Sequence, residues 1–231
     1  MSLSEVLFIG TIAGGATAIG GLLTMFFPVK NKKCLMLLLG FAGGVMTGLS
    51  LFQLMPEGYF FAEGVFPVAF GFAIGLSAMA FLSVFFVSQD KYEDYFKTGI
   101  FICIALALHN FPEGIAVGVG FAGKTSLGFM IAAAMLLHNI PEGIGIGAPL
   151  RKSGMNMGKI LLFTAAAGMV TPLGSAVGWW FGNISMSSLG WAMGLAAGAM
   201  IYVSFTKLLS FRGYWNNLGA FCGILLTFII A

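Results

Sequence analysis

The sequence predicts an all-α fold, a polytopic transmembrane helical bundle of eight spans with the N- and C-termini outside. Three observations predict it. Of the 231 residues, 59% are hydrophobic and 8% charged, with a mean hydropathy of +0.99, far from soluble averages. The apolar residues fall into runs of about 20, the length a helix needs to cross hydrocarbon. The breaks between runs hold nearly all the Lys and Arg. The 34 glycines and 14 methionines suit helices that pack in lipid, and the glycines lack the three-residue period of collagen.

The first run, residues 4–27, follows a start without the basic region of a cleavable signal and is too long for a signal core, so it reads as a span. The second, 35–56, opens behind Lys30, Lys32 and Lys33 and closes at Pro56 and Glu57. The third covers 66–87. The fourth, 98–122, and the fifth, 127–148, are separated by a short stretch around Lys124, and each carries a proline. The sixth, seventh and eighth cover 158–182, 187–208 and 214–231. Connections are short, the longest being Ser88 to Lys97 and Pro149 to Met157, so residues 1–231 read as a single transmembrane domain. Cys34, Cys103 and Cys222 have neither disulfide nor zinc-ribbon spacing. The net charge of +3 sits in loops and marks no nucleic-acid footprint.

With the N-terminus outside, the inner loops hold Lys30, Lys32, Lys33, Lys91, Lys97, Arg151, Lys152, Lys159 and Arg212, and the outer loops hold only Lys124. This is a positive-inside bias. Glu57 and Glu63 then fall in or near an outer loop.

Two acidic residues, Glu113 and Glu142, lie within spans, where a charge costs about 2.5 to 3.5 kcal/mol and marks a functional site by default. Both histidines of the chain, His109 and His138, stand four residues before them. At 100° per residue each His/Glu pair shares one side of its helix. The two pairs belong to two copies of one hexapeptide, H-N-F-P-E-G at 109–114 and H-N-I-P-E-G at 138–143. Two imidazoles and two carboxylates form a chelating set for zinc, iron, manganese or cobalt. Pro112 and Pro141 are expected to kink their helices and free the carbonyls of Leu108 and Leu137, tolerated at depth only beside a cavity or protein. Asn110 and Asn139 offer amide oxygens to an adjoining coordination position. Gly114, Gly118, Gly143, Gly145 and Gly147 are expected to bring these two helices together. A lone buried His or Pro would read as structural; the duplication argues otherwise.

A second stripe, Met46, Ser50, Gln53 and Glu57, occupies one face of span two. Met46 is deep enough to offer a thioether, with core packing as the alternative, and Gln53 and Glu57 climb toward the outer mouth as an entrance path. Lys207, near the inner end of span seven, either snorkels to the interface or stands beside Glu113 or Glu142 as a counter-cation.

At the doubled hexapeptide the chain resembles the ZRT/IRT-like (ZIP) family of divalent-metal transporters, particularly its short prokaryotic members. The resemblance extends to the eight spans and to the G-x-M-x-x-x-S pattern around Met46 ahead of Pro56 and Glu57. It implies that His109, Glu113, His138 and Glu142 form the transport site with Met46 beside it, and that Asn110 and Asn139 serve a second metal position. Two departures stand out. The loop between spans three and four is short and lacks the histidines many relatives carry there, so no loop sensor is expected. In span seven, where relatives often place an acidic ligand after a serine, Ser204 is followed by Phe205, Thr206 and Lys207. A lysine repels a second cation, which leads to an expectation of one metal per site.

The expectation is therefore a carrier of divalent transition metals, zinc first, with iron, manganese, cobalt or cadmium open, into the cytoplasm across the cell membrane. The metal is cargo; no cofactor and no enzyme activity are expected, and the partners are the bilayer and the ion. A homodimer through a glycine-rich face stays open. A membrane metalloenzyme and a metal-selective channel are the alternatives, although two histidines are few for the first.

Overall fold

A computed structural model describes every residue except 63, 86–94, 182–185, 212 and 231. Glu63, Lys91 and Arg212 thus lie outside the described residues, which form helices and turns without strands. Helix α1 (Leu3–Leu23) starts at a capping box, in which the Ser2 side chain accepts from the Glu5 N–H and the Glu5 carboxylate from the Ser2 N–H. Helix α2 starts behind Asn31, whose side chain accepts from the Lys33 N–H at 2.9 Å. It was expected to end at residue 56, yet it runs as one rod over Lys32–Ala62. The reason is a π-turn at Ser50–Leu54, where the Met55 N–H reaches back to the Ser50 carbonyl. A widened turn lets the rod pass Pro56, which has no N–H to donate. Glu57 is therefore a helical residue and not part of a loop.

The chain continues through α3 (Val65–Val84), α4 (Tyr95–Gly123), α5 (Thr125–Lys152) and α6 (Met157–Trp180). Helix α7 (Met186–Val203) ends in a second π-turn, Ser204–Leu208, and α8 (Tyr214–Ile230) closes the chain. Seven of these are long and apolar enough to cross a membrane, and the eighth is a shorter apolar helix. The protein is thus a multi-pass membrane helical bundle. Helices α4 and α5 carry Pro112 and Pro141 inside their spans without ending there, and neither proline has an N–H to give the carbonyl four residues before it.

One end of the bundle gathers basic residues. The Arg151 guanidinium donates to the Thr24 carbonyl, and Lys152 Nζ donates to the Lys30 carbonyl at 2.8 Å. The ammonium groups of Lys33 and Lys152 lie 5.8 and 5.9 Å from the ring centroids of Trp215 and Tyr95. The end of α5 and the starts of α2, α4 and α8 therefore share one level, as an up-and-down bundle requires.

Glycines decide which helices touch closely. A Cβ at Gly143 would run into the Thr17 carbonyl and one at Gly20 into the Ile140 carbonyl, which locks α5 to α1. In the same way Gly114 and Gly174 lock α4 to α6, and Gly14 and Gly168 lock α1 to α6. Small residues at such crossings let backbones approach without losing contact. Helices α1, α4, α5 and α6 thus form one glycine-locked group. Helices α2 and α8 are locked at Gly44 and Gly223, and α3 and α7 at Gly75 and Gly198. These pairs are joined by Ser204, whose hydroxyl is 2.7 Å from that of Thr47 and donates to the Gly43 carbonyl at 2.8 Å. Where α5 faces α2, by contrast, a Cβ at Gly145 would meet only side chains, the nearest being Ala42 at 3.2 Å.

Candidate metal centre

Each hexapeptide presents two faces. Its His and Glu, four residues apart, point to the side where α4 and α5 meet, and the chemistry there is a chain of three contacts. Glu142 Oε1 lies 3.5 Å from His109 Nε2, His109 Nε2 lies 2.9 Å from Glu113 Oε1, and Glu113 Oε1 lies 3.1 Å from His138 Nε2. Two donors sharing a tetrahedral zinc at about 2.05 Å stand about 3.3 Å apart, the range these separations span. The four side chains are at least nine-tenths buried. Neither imidazole nitrogen of His109 or His138, nor Glu113 Oε2, nor either oxygen of Glu142 has a hydrogen-bond partner. Buried polar atoms without partners are expensive, and the facing Nε2 atoms and carboxylate oxygens suit a cation better than they suit each other. The contacts run as an open chain and not as a ring, and among the described residues no three such side chains form a ready-made cage.

The second face is formed by the Asn and the Gly, also four residues apart. Asn110 Nδ2 donates to the Ala167 carbonyl of α6 at 3.0 Å, and Asn139 Nδ2 donates to the Ala13 carbonyl of α1 at 2.9 Å. One turn further, Gly114 admits the Thr171 carbonyl and Gly143 admits the Thr17 carbonyl. The two asparagines thus have docking as their first task, with only Oδ1 left unpartnered. The glycines expected to join α4 to α5 instead seat each on a different neighbour: Gly114 and Gly118 on α6, Gly143 and Gly147 on α1, while Gly145 faces α2.

A cavity of about 30 Å³ leads to the chain of contacts. Gln53 and Glu57 of α2 line it together with Glu113 and His138, whereas His109 and Glu142 lie behind. The stripe on span two therefore does meet the hexapeptides, through its outer half.

The chain is similar to known proteins. Residues 88–231 match the family model described as ZIP Zinc transporter. The chain belongs to this family. It is similar to the protein named Zinc transporter ZupT of Stenotrophomonas maltophilia (strain K279a), with 33% identity covering 85% of this chain and 81% of the relative. The ZupT protein of Akkermansia muciniphila is 31% identical over 97% of this chain and 96% of its own length, and that of Escherichia coli O7:K1 is 30% identical over 90% and 86%. Membership places the chain among membrane transporters of metal and not among metalloenzymes.

In this ZIP chain the remaining expected site residues are placed as follows. Met46 is fully buried in the main core with Met200 and Val203. The thioethers that line the cavity are those of Met135 and Met193, which the sequence reading missed. Met135 had a signal, since it precedes His138 by three residues and shares its face; Met193, on α7, had none. Ser204 is fully buried and engaged with α2. Lys207 places its ammonium 5.0 Å from the ring centroid of buried Phe101. Phe101 precedes His109 by eight residues, about 12 Å along the helix axis. Among the described residues no ion pair joins Lys207 to Glu113 or Glu142.

Proposed function

We propose that this ZIP protein carries divalent transition-metal ions, zinc foremost, from outside into the cytoplasm across the cell membrane. The observation that carries the reading is the buried chain Glu142–His109–Glu113–His138 of unpartnered donors at the end of a cavity. The ion enters past Gln53 and Glu57. A cavity of about 30 Å³ holds about two waters, so most of a hydration shell is shed there and replaced by imidazole and carboxylate. The mixed N/O set accepts zinc, cadmium, cobalt, iron and manganese. The positive-inside charge pattern, with both termini outside, supports inward direction: the basic end of the bundle faces the cytoplasm and the cavity faces outward. The glycine-locked group α1, α4, α5 and α6 carries all four ligands, and its side-chain border with α2 supports movement of that group against the rest.

One ion is carried at a time. The two imidazoles and two carboxylates make a single four-donor set, and the Ser204 hydroxyl is engaged with α2. Native mass measurement of the purified protein is expected to find one bound zinc per chain; two would end this reading. The function is tested by uptake of a panel of divalent ions into proteoliposomes. Wild type is expected to give slow, saturable uptake, and His109→Ala or Glu142→Ala to lower it at least roughly tenfold, as lost metal contacts do. Unchanged uptake in both variants would overturn the assignment.

A further inference from the structure

Glu113 and His138 face two ways. Toward the interior they belong to the chain of contacts with His109, as the transport reading requires; toward α2 they line one cavity with Glu57 and Gln53. Both are 5% exposed, and Glu113 Oε2 and His138 Nδ1 have no hydrogen-bond partner. Glu57 sits one turn beyond Gln53 on α2, and among the described residues no basic side chain pairs with it. Two carboxylates without cations, an imidazole and an amide thus surround one small space, with the thioethers of Met135 and Met193 in its wall.

We propose that Glu57 and Gln53, with the cavity-facing atoms of Glu113 and His138, form a first binding position for a divalent metal ion of borderline or soft character, ahead of the four-ligand site. The proposal rests on the transport reading and adds a step to it. Two carboxylates balance a double positive charge, and an imidazole nitrogen and an amide oxygen complete a four-donor set of the kind zinc and cadmium accept. The space, about two waters in volume, leaves an ion there room for about one retained water. Polarisable sulfur in the wall favours cadmium and zinc over manganese.

The position of the donors gives this site its role. Glu57 and Gln53 belong to α2, whereas Glu113 and His138 belong to the glycine-locked group. An ion held here bridges the two halves of the bundle. In the deeper set all four ligands lie on α4 and α5, so the ion passing inward lets go of α2 and leaves the carrying group free to move. Because Glu113 and His138 serve both positions, an ion can pass from the first to the second without leaving these two side chains.

Calorimetric titration of the purified full chain with Cd²⁺ tests this. The double variant His109→Ala/Glu142→Ala removes the inner ligands and leaves the first position intact. It is expected to bind one Cd²⁺ per chain, weaker than wild type by roughly tenfold to hundredfold, and adding Glu57→Gln is expected to remove that binding. If the triple variant binds as the double does, or if the folded double variant binds nothing, the proposal is overturned. Should the alanine variant fail to fold, His109→Gln/Glu142→Gln takes its place with the same two outcomes. Mn²⁺ is expected to bind the double variant more weakly than Cd²⁺; equal affinity overturns the soft-ion assignment. In proteoliposomes, Glu57→Gln alone is expected to raise the half-saturating Cd²⁺ concentration about tenfold, and an unchanged value counts against the proposal. Absence of uptake by wild type would instead sink the transport reading, and leaves the binding titrations to be judged separately.

Discussion

Glu113→Gln is expected to abolish zinc uptake. Glu113 Oε1 stands between the two imidazoles, 2.9 Å from His109 Nε2 and 3.1 Å from His138 Nε2, while Oε2 is unpartnered at the cavity. Glutamine keeps the shape and the volume, so the packing survives, but the charge that pairs with the incoming cation is gone and an amide nitrogen competes for the same place. A loss of ion binding of about 3 kcal/mol corresponds to a factor of more than roughly a hundred. Uptake into proteoliposomes should therefore fall to the level of empty vesicles, while size-exclusion elution and helical circular dichroism match wild type. Retention of more than about a tenth of wild-type uptake, a change below about 1.4 kcal/mol, would remove Glu113 from the centre of the site.

Gly143→Val carries the largest expected effect on stability. A Cβ there would meet the Thr17 carbonyl oxygen, and it would stand 2.9 Å from the Gly20 Cα and the Gly21 nitrogen. All three are backbone atoms, so no rotamer change relieves the crowding, and α1 and α5 have to separate. Overpacking typically costs about 1 to 3 kcal/mol, and more where backbone must shift. In a chain of this size about 3 kcal/mol lowers a thermal midpoint by roughly 6 to 12 °C. Gly15→Ala is the control, since a Cβ at Gly15 meets nothing within 4 Å. Equal melting of the two variants in detergent would contradict the glycine lock.

The spans were legible because hydropathy over about 20 residues is a strong signal and loops as short as these leave little room for error. The main misjudged boundary was the end of α2. Pro56, Glu57 and Gly58 together look like a stop, and a π-turn that carries a helix through such a stop has no sequence mark of its own. Within the site, the i, i+4 rule was enough to bring His109 to Glu113 because both lie on one helix. The task of Asn110 and Asn139 was hidden for the opposite reason: their acceptors are 57 and 126 residues away and are backbone carbonyls, which carry no residue identity. The same holds for the glycines, whose small size announced a close crossing without naming the helix crossed. Met193 reached the cavity wall from α7, which only the three-dimensional packing could bring there.

The lock between α1 and α5 also has a consequence for biogenesis. Ala13 and Asn139, which join the two helices, are 126 residues apart. At synthesis rates of about 5 to 20 residues per second, α1 reaches the membrane roughly 6 to 25 s before its partner exists. During that interval its groove at Gly20 and Gly21 has no carbonyl or side chain to fill it, and only lipid or the insertion machinery can cover it. Helix α6, the other neighbour of α1, arrives later still. Helix α1 is therefore made well before it can find its place, and the ligand-bearing half of the transporter is completed only once α6 has followed α5.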